Sequence, residues 1–155
     1  MRLAELLSPK QIKVPLQNRQ KIEVIEELID VLVAARQITD KTKALNAVLE
    51  REKIMTTGVG DGVAIPHGRI DKLTKVVASL GISGHDIDFD AIDGKPVRIV
   101  FLILAPSNEI GPHLKALSRV SRLLSKDSLR EKLLGAKTPH QAFQILEAEE
   151  KEYFQ

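Results

Sequence analysis

Val97-Arg98-Ile99-Val100-Phe101-Leu102-Ile103-Leu104-Ala105 is apolar at eight of its nine positions. A strand with one face in water alternates apolar and polar residues, whereas a nearly all-apolar run of this length suits a strand covered on both faces. The stretch therefore predicts a central strand with helices on either side. On its N-terminal side, Val76 to Ile82 reads as a second strand with Val76, Ala78, Leu80 and Ile82 on one face. Asp93-Gly94 marks a tight turn between the two.

Further out, a cap at Asn18 opens a helix whose apolar residues, Ile22, Ile25, Leu28, Ile29, Leu32 and Val33, recur on one face. Asp40 caps a second helix carrying Ala44, Leu45, Val48 and Leu49 and running to Arg51 or Glu52. Before them, a helical turn in Met1 to Leu7 is stopped by Ser8-Pro9, and Ile12-Lys13-Val14 alternates as a brief edge strand. Three helical segments complete the chain. They are His113 to Ser125 with an apolar face of Leu114, Leu117, Val120 and Leu124; Ser128 to Leu134, ended by Gly135; and one from Thr138-Pro139. Its charged end, Glu147 to Glu152, reads as solvated. Two helices, then strands, then three helices predict an α/β fold in which a mixed central sheet is flanked by helices on both faces, as one domain over residues 1–155.

The 155 residues are 43% hydrophobic and 28% charged, the composition of a globular chain rather than a disordered one. No apolar run approaches the roughly 20 residues that span a bilayer, and Glu5 stands where a signal peptide would begin its apolar stretch, so a cytoplasmic protein is expected, with no membrane insertion. The absence of cysteine excludes disulfides, thiolate metal sites and cysteine nucleophiles. Lys and Arg number 23 against 21 Asp and Glu, interspersed, and aromatics make up 3%, which leaves little for phosphate tracking or base stacking. Nucleic acid is not an expected partner.

Between the second helix and the strands lies Thr56-Thr57-Gly58-Val59-Gly60-Asp61-Gly62, a glycine-rich segment that reads as a loop. Val63-Ala64-Ile65 follows as a short apolar strand, and Pro66-His67-Gly68 is expected to end it. His67 then stands at a rigid sheet edge with backbone N–H groups nearby. Such amides converge on phosphate oxygens, and a neutral imidazole is a nucleophile that needs no separate base. Phosphoryl transfer onto histidine is the chemistry suggested, although a histidine here can equally do no more than hydrogen-bond its turn. His113, at the start of a helix, and Arg51, just before the glycine segment, are candidate phosphate partners. Each also has an ordinary reading, as a helix-end residue and a solvated arginine.

Rival motifs fit less well. The glycine segment lacks the spacing of a nucleotide P-loop or a dinucleotide fingerprint. His85-Asp86-Ile87-Asp88-Phe89-Asp90-Ala91-Ile92-Asp93 alternates aspartates as a calcium loop does, but Ala91 stands where such a loop requires glycine and Val97 where it requires glutamate. His67, His85 and His113 lack the short paired spacing of a zinc site. No metal and no cofactor are expected.

Arg51-Glu52-Lys53 followed by Thr57-Gly58-Val59-Gly60-Asp61-Gly62-Val63-Ala64-Ile65-Pro66-His67-Gly68 resembles the signature of the type-2 IIA proteins of the bacterial phosphoenolpyruvate phosphotransferase system. The resemblance continues through Ile87-Asp88-Phe89-Asp90-Ala91-Ile92-Asp93-Gly94-Lys95-Pro96-Val97 and His113-Leu114-Lys115-Ala116-Leu117-Ser118-Arg119, and is closest to the nitrogen-regulatory branch. It implies that His67 accepts a phosphoryl group on its tele nitrogen from an HPr-like phosphohistidine carrier, with no cofactor. It further implies that Arg51 and His113 stabilise that group, and that Thr57, Gly58, Gly60, Asp61, Gly62 and Gly68 form a phosphate loop. The implied output is regulation of partner proteins, such as potassium transport systems or sensor kinases. The alternative is a fructose- or mannitol-type IIA passing phosphate to a IIB domain. Members of the family commonly carry asparagine where this chain has Asp61. A carboxylate pointing inward would repel phosphate and support a module that is never phosphorylated; pointing outward, it would pin the loop.

Overall fold

In the computed structural model, which describes residues 2–154, the apolar run forms the central strand, Val97–Pro106, and every other layer is arranged around it. In chain order the elements are α1 (Leu3–Leu6), β1 (Ile12–Lys13), α2 (Lys21–Ala34), α3 (Lys41–Ile54), β2 (Gly58–Gly60), β3 (Val63–Ala64), β4 (His67–Ile70), β5 (Val77–Ile87), β6 (Val97–Pro106), α4 (Ile110–Leu124), α5 (Asp127–Leu134) and α6 (Pro139–Tyr153). The sheet order is β1-β5-β6-β3-β2, with β4 also paired to β6. β5 runs antiparallel to β6, and β3 and β4 run parallel to it in succession, Val63 opposite Ile99 and His67 opposite Ile103. β1 is a parallel edge strand on β5.

Both faces of β6 are buried, as its composition requires. Ile99, Phe101 and Ile103 join Leu80, Val120, Leu123, Leu129 and Leu146 in one core beneath α4, α5 and α6. Val100, Leu102 and Leu104 join Ile25, Leu28, Leu32 and Val48 in the other, beneath α2 and α3. Each such side chain contributes about 1.5–3 kcal/mol on full burial. The mixed sheet with helices on both faces is the expected architecture.

Several local expectations are corrected. Asn18 does not cap α2; the cap is Gln20, and Asn18 instead donates its N–H and Nδ2 to Glu27, bracing the approach to the helix. Ile22 is 58% exposed, and Val24 takes the core position. Asp40 does cap α3, accepting from Lys43 N–H, and the helix runs on to Ile54. The glycine segment is a tight hairpin rather than an open loop, with β2 antiparallel to β3. Pro66 does not end the strand pairing: its carbonyl accepts from Ile103 N–H, and β4 continues beyond it. α4 begins at Ile110, so Gly111 and Pro112 lie inside its first turn, where a missing N–H has no intrahelical partner to lose. Its buried face is His113, Ala116, Val120, Leu123 and Leu124, while Leu114 is 59% exposed. The charged end of α6 is only partly solvated. Glu150 accepts from Leu3 N–H and Arg119 Nε, and Glu149 pairs with Lys126, because two carboxylates buried against α4 and α1 need partners.

Candidate functional site

Register along β6 places the site. His67 opens β4 opposite Ile103, three residues from the end of β6, and α4 begins four residues after that end, so its first turn lies over β4. The rings of His67 and His113 meet at 5.3 Å between centroids and 74° between planes. On the other side, Gly68 lets α3 approach: a Cβ there would stand 3.1 Å from the Ala47 carbonyl carbon and the Val48 nitrogen. That close packing brings Arg51, three residues further along α3, to the same cleft. Arg51, His67, Gly68, Arg69, Ser107 and His113 all line it.

The hydrogen bonding of His67 defines its reactive atom. Nδ1 lies 2.9 Å from the carbonyl oxygen of Ile65. A carbonyl only accepts, so Nδ1 carries the proton and Nε2 carries the lone pair. Burial lowers the His67 pKa; the Ile65 carbonyl and Glu52 oppose that, while Arg51 adds to it. His113, 7% exposed, is pushed down to about 4 by burial first, then by the charges of His67 and Arg69. Both rings are therefore neutral near pH 7, and the Nε2 atom of His113 is buried without a hydrogen-bond partner. An unprotonated imidazole nitrogen, an unpartnered polar atom on the ring packed against it and two guanidinium groups lining the same cleft are suited to receiving an anionic group.

Arg51 donates through Nη1 to Met55 O at 2.8 Å, which anchors it at the C-terminal end of α3. Arg69 is absent from the sequence-based set of site residues. It lies two residues after His67 on β4 and hence on the same side of the strand, a period-2 signal hidden by reading Pro66-His67-Gly68 as a strand end.

The residues expected to form a phosphate loop do not all line the cleft. Of its members only Gly68 lines the cleft; Thr57, Gly58, Gly60, Asp61 and Gly62 do not. Gly60 pairs with Val63, four residues before His67, so the hairpin tip lies about 13 Å along the strand from the imidazole. The hairpin turns on Asp61 and Gly62, with φ of 58° and 79°. Asp61 is exposed at that tip, and its N–H donates to Asp93 Oδ2 at 3.1 Å. Of its two possible orientations, the outward one is observed.

Among the described residues there is no group of three or more His, Asp or Glu side chains placed to hold a metal ion. His85 accepts from Arg19 at 3.0 Å instead, and Asp86 pairs with Arg98. Nor is any described helix long and apolar enough to cross a membrane.

Comparison with known proteins places the fold in a family. Residues 5–149 match the family model described as "Phosphoenolpyruvate-dependent sugar phosphotransferase system, EIIA 2". The chain is 36% identical over 148 residues to a nitrogen regulatory protein of Bradyrhizobium diazoefficiens, covering 94% of this chain and 95% of that one. It is 43% identical over 122 residues to a fructose-specific EIIA component of Haloferax volcanii, covering 79% of each. It is also 34% identical over 151 residues to the fructose-specific EIIABC component of Bacillus subtilis, of which it spans 97% of its own length but 24% of the larger protein. The crystal structure of IIA-Ntr from Neisseria meningitidis superposes with a TM-score of 0.86 at 31% identity, covering 93% of this chain and 98% of that one. A fold with these proportions and a match that takes in Arg51, His67 and His113 have one common explanation: the chain belongs to the type-2 EIIA family of the phosphoenolpyruvate-dependent phosphotransferase system.

Proposed function

We propose that this chain is a phosphocarrier of the nitrogen-regulatory type, in which His67 Nε2 takes a phosphoryl group from a phosphohistidine on an HPr-like carrier. The observation that carries the proposal is the bond from His67 Nδ1–H to Ile65 O, which leaves an unprotonated Nε2 in a cleft shared with His113, Arg51 and Arg69. The lone pair attacks phosphorus, the P–N bond of the donor breaks, and the donor imidazole keeps that electron pair. Exchange between two imidazoles is near-balanced in energy, so positioning and charge stabilisation do the catalytic work, without nucleotide, metal or other cofactor.

Arg51 and Arg69 offset the incoming charge, and the buried Nε2 of His113 gains a phosphoryl oxygen as its hydrogen-bond partner. A phosphoryl group adds roughly −1.5 to −2 charge at the cleft mouth, enough to exclude a partner that prefers the bare imidazole. The nitrogen-regulatory relatives support regulation of partner proteins as the output, and the resemblance in the sequence implies potassium transport systems or sensor kinases as the targets. The fructose-specific relatives support a second reading, in which His67 passes its phosphoryl group to a IIB domain during sugar uptake.

Intact mass after incubation with phosphoenolpyruvate, the first enzyme of the system and an HPr-like carrier tests the shared step. Wild type gains one acid-labile, base-stable phosphoryl group and His67→Ala gains none; no gain in wild type, with a competent IIA protein labelled in parallel, overturns the proposal. Adding a fructose-type IIB domain to the labelled protein separates the branches, since rapid loss of label to IIB favours transport.

A further inference from the structure

Behind His67 lies a buried carboxylate that the transfer chemistry above does not use. Glu52, on α3, accepts from Thr57 N–H at 2.8 Å through Oε2 and from the Thr57 hydroxyl through Oε1. Lys21 Nζ closes the arrangement from α2, 3.0 Å from the same Oε2 and 5.1 Å from the centre of the Phe89 ring. Thr57 in turn accepts, through its carbonyl, from Ile65 N–H at 2.9 Å. The carbonyl of Ile65 is the group that takes His67 Nδ1–H. Glu52 is thus three hydrogen-bonded links from the imidazole, and the next residue, Pro66, has no N–H with which to fix this bend.

We infer that Glu52 is a positioning residue for His67, acting through Thr57 and Ile65 to hold the imidazole in its Nδ1–H tautomer with Nε2 free in the cleft. The assignment rests on His67 being the phosphoryl acceptor. The carboxylate ties two parts of Thr57, backbone and hydroxyl, to a helix, so Ile65 cannot rotate its carbonyl away without breaking bonds in the protein interior. Buried hydrogen bonds of this kind are costly to leave unmade, which makes the tautomer a property of the fold rather than of solvent. Lys21 supplies the opposite charge, so a carboxylate near the site does not stand unbalanced against an arriving phosphoryl group. Glu52 also raises the His67 pKa, against the downward effect of Arg51.

The test is long-range nitrogen–proton NMR of the imidazoles in the unphosphorylated full chain, with no donor present, alongside the initial rate of labelling by the carrier. Wild type shows a single Nδ1–H tautomer at His67. Glu52→Gln populates both tautomers at His67, lowers its titration midpoint, leaves the His113 tautomer unchanged, and slows labelling about tenfold, equivalent to ~1.4 kcal/mol. Thr57→Ser keeps hydroxyl and N–H and behaves as wild type, whereas Thr57→Val mixes the tautomers. A wild-type tautomer in Glu52→Gln, or equal impairment in Thr57→Ser and Thr57→Val, overturns the assignment. Should Glu52→Gln fail to fold, as read by circular dichroism, the Thr57 pair decides, because Thr57→Val loses only one of the two bonds. A wild type that shows the single tautomer but never takes phosphate overturns the functional proposal alone.

Discussion

His113 meets His67 edge to face, 5.3 Å between ring centres, and this contact joins the first turn of α4 to the first residue of β4. It sets one half-buried neutral imidazole against a buried one, with an unpartnered nitrogen on the second ring. The chemistry of the cleft follows from that pair, and most of the expected behaviour can be stated from it.

Replacing His113 by alanine removes the partner expected for the phosphoryl oxygens. Labelling of His67 by the carrier should slow about 100-fold, the usual loss for one charge-stabilising donor, while the fold survives. Rapid-quench labelling of His113→Ala beside wild type measures it; an unchanged rate removes His113 from the site.

Stability should fall in mild acid. The folded-state pKa of His113 is about 4, below its unfolded value of 6.5, so below pH 6.5 the unfolded chain binds a proton that the folded chain refuses. That contribution is fully present above pH 6.5 and is lost progressively down to about pH 4, with a slope of at most about 1.4 kcal/mol per pH unit. The lowered pKa of His67 acts in the same direction. Urea midpoints at pH 7 and pH 5 for wild type and His113→Gln should show a smaller acid loss in the variant.

Arg69→Gln should raise the His113 titration midpoint, because the guanidinium is one of the charges that lower it. The same variant should slow labelling of His67 by roughly tenfold through loss of a charge-assisted contact to the phosphoryl group. Proton NMR titration of His113 and the labelling rate read the two effects separately.

Gly68→Ala places a Cβ 3.1 Å from the Ala47 and Val48 backbone, and helix α3 must shift to admit it. A destabilisation of about 1–3 kcal/mol is expected, together with slower labelling as Arg51 is displaced. Chemical denaturation and the labelling rate should change together; a neutral result would mean that α3 gives way freely.

Asp61→Asn should leave labelling within about twofold of wild type and change stability by less than about 0.5 kcal/mol, since the side chain is exposed at the hairpin tip and does not line the cleft. A large gain in labelling would instead show that the carboxylate reaches the phosphoryl group.

Much of this architecture is legible in the sequence because the relevant signals are local. The nearly all-apolar run of β6 demands two covered faces, Asp40 and Thr138 supply side-chain caps within three residues of their targets, and Pro139 opens α6. The boundary of α4 is less legible, since Gly111-Pro112 reads as a helix opening whereas proline is equally tolerated inside the first turn. Its rotation is less legible still: Leu114 looks like a core residue and His113 a surface one, but packing on the sheet buries the histidine.

At the site, local residue order establishes that His67 follows a short strand and a proline, with an arginine-ended helix before it and a second histidine near a helix start. What meets the imidazole depends on long-range packing. Pairing of both β3 and β4 with β6 sends the glycine hairpin away from the imidazole and turns Arg69 toward the cleft, and the seating of α4 brings His113 against His67. The physical reason is range: caps, turns and strand faces are settled by neighbours a few residues apart, whereas strand register and helix rotation are settled by burial against residues 30 to 50 positions away.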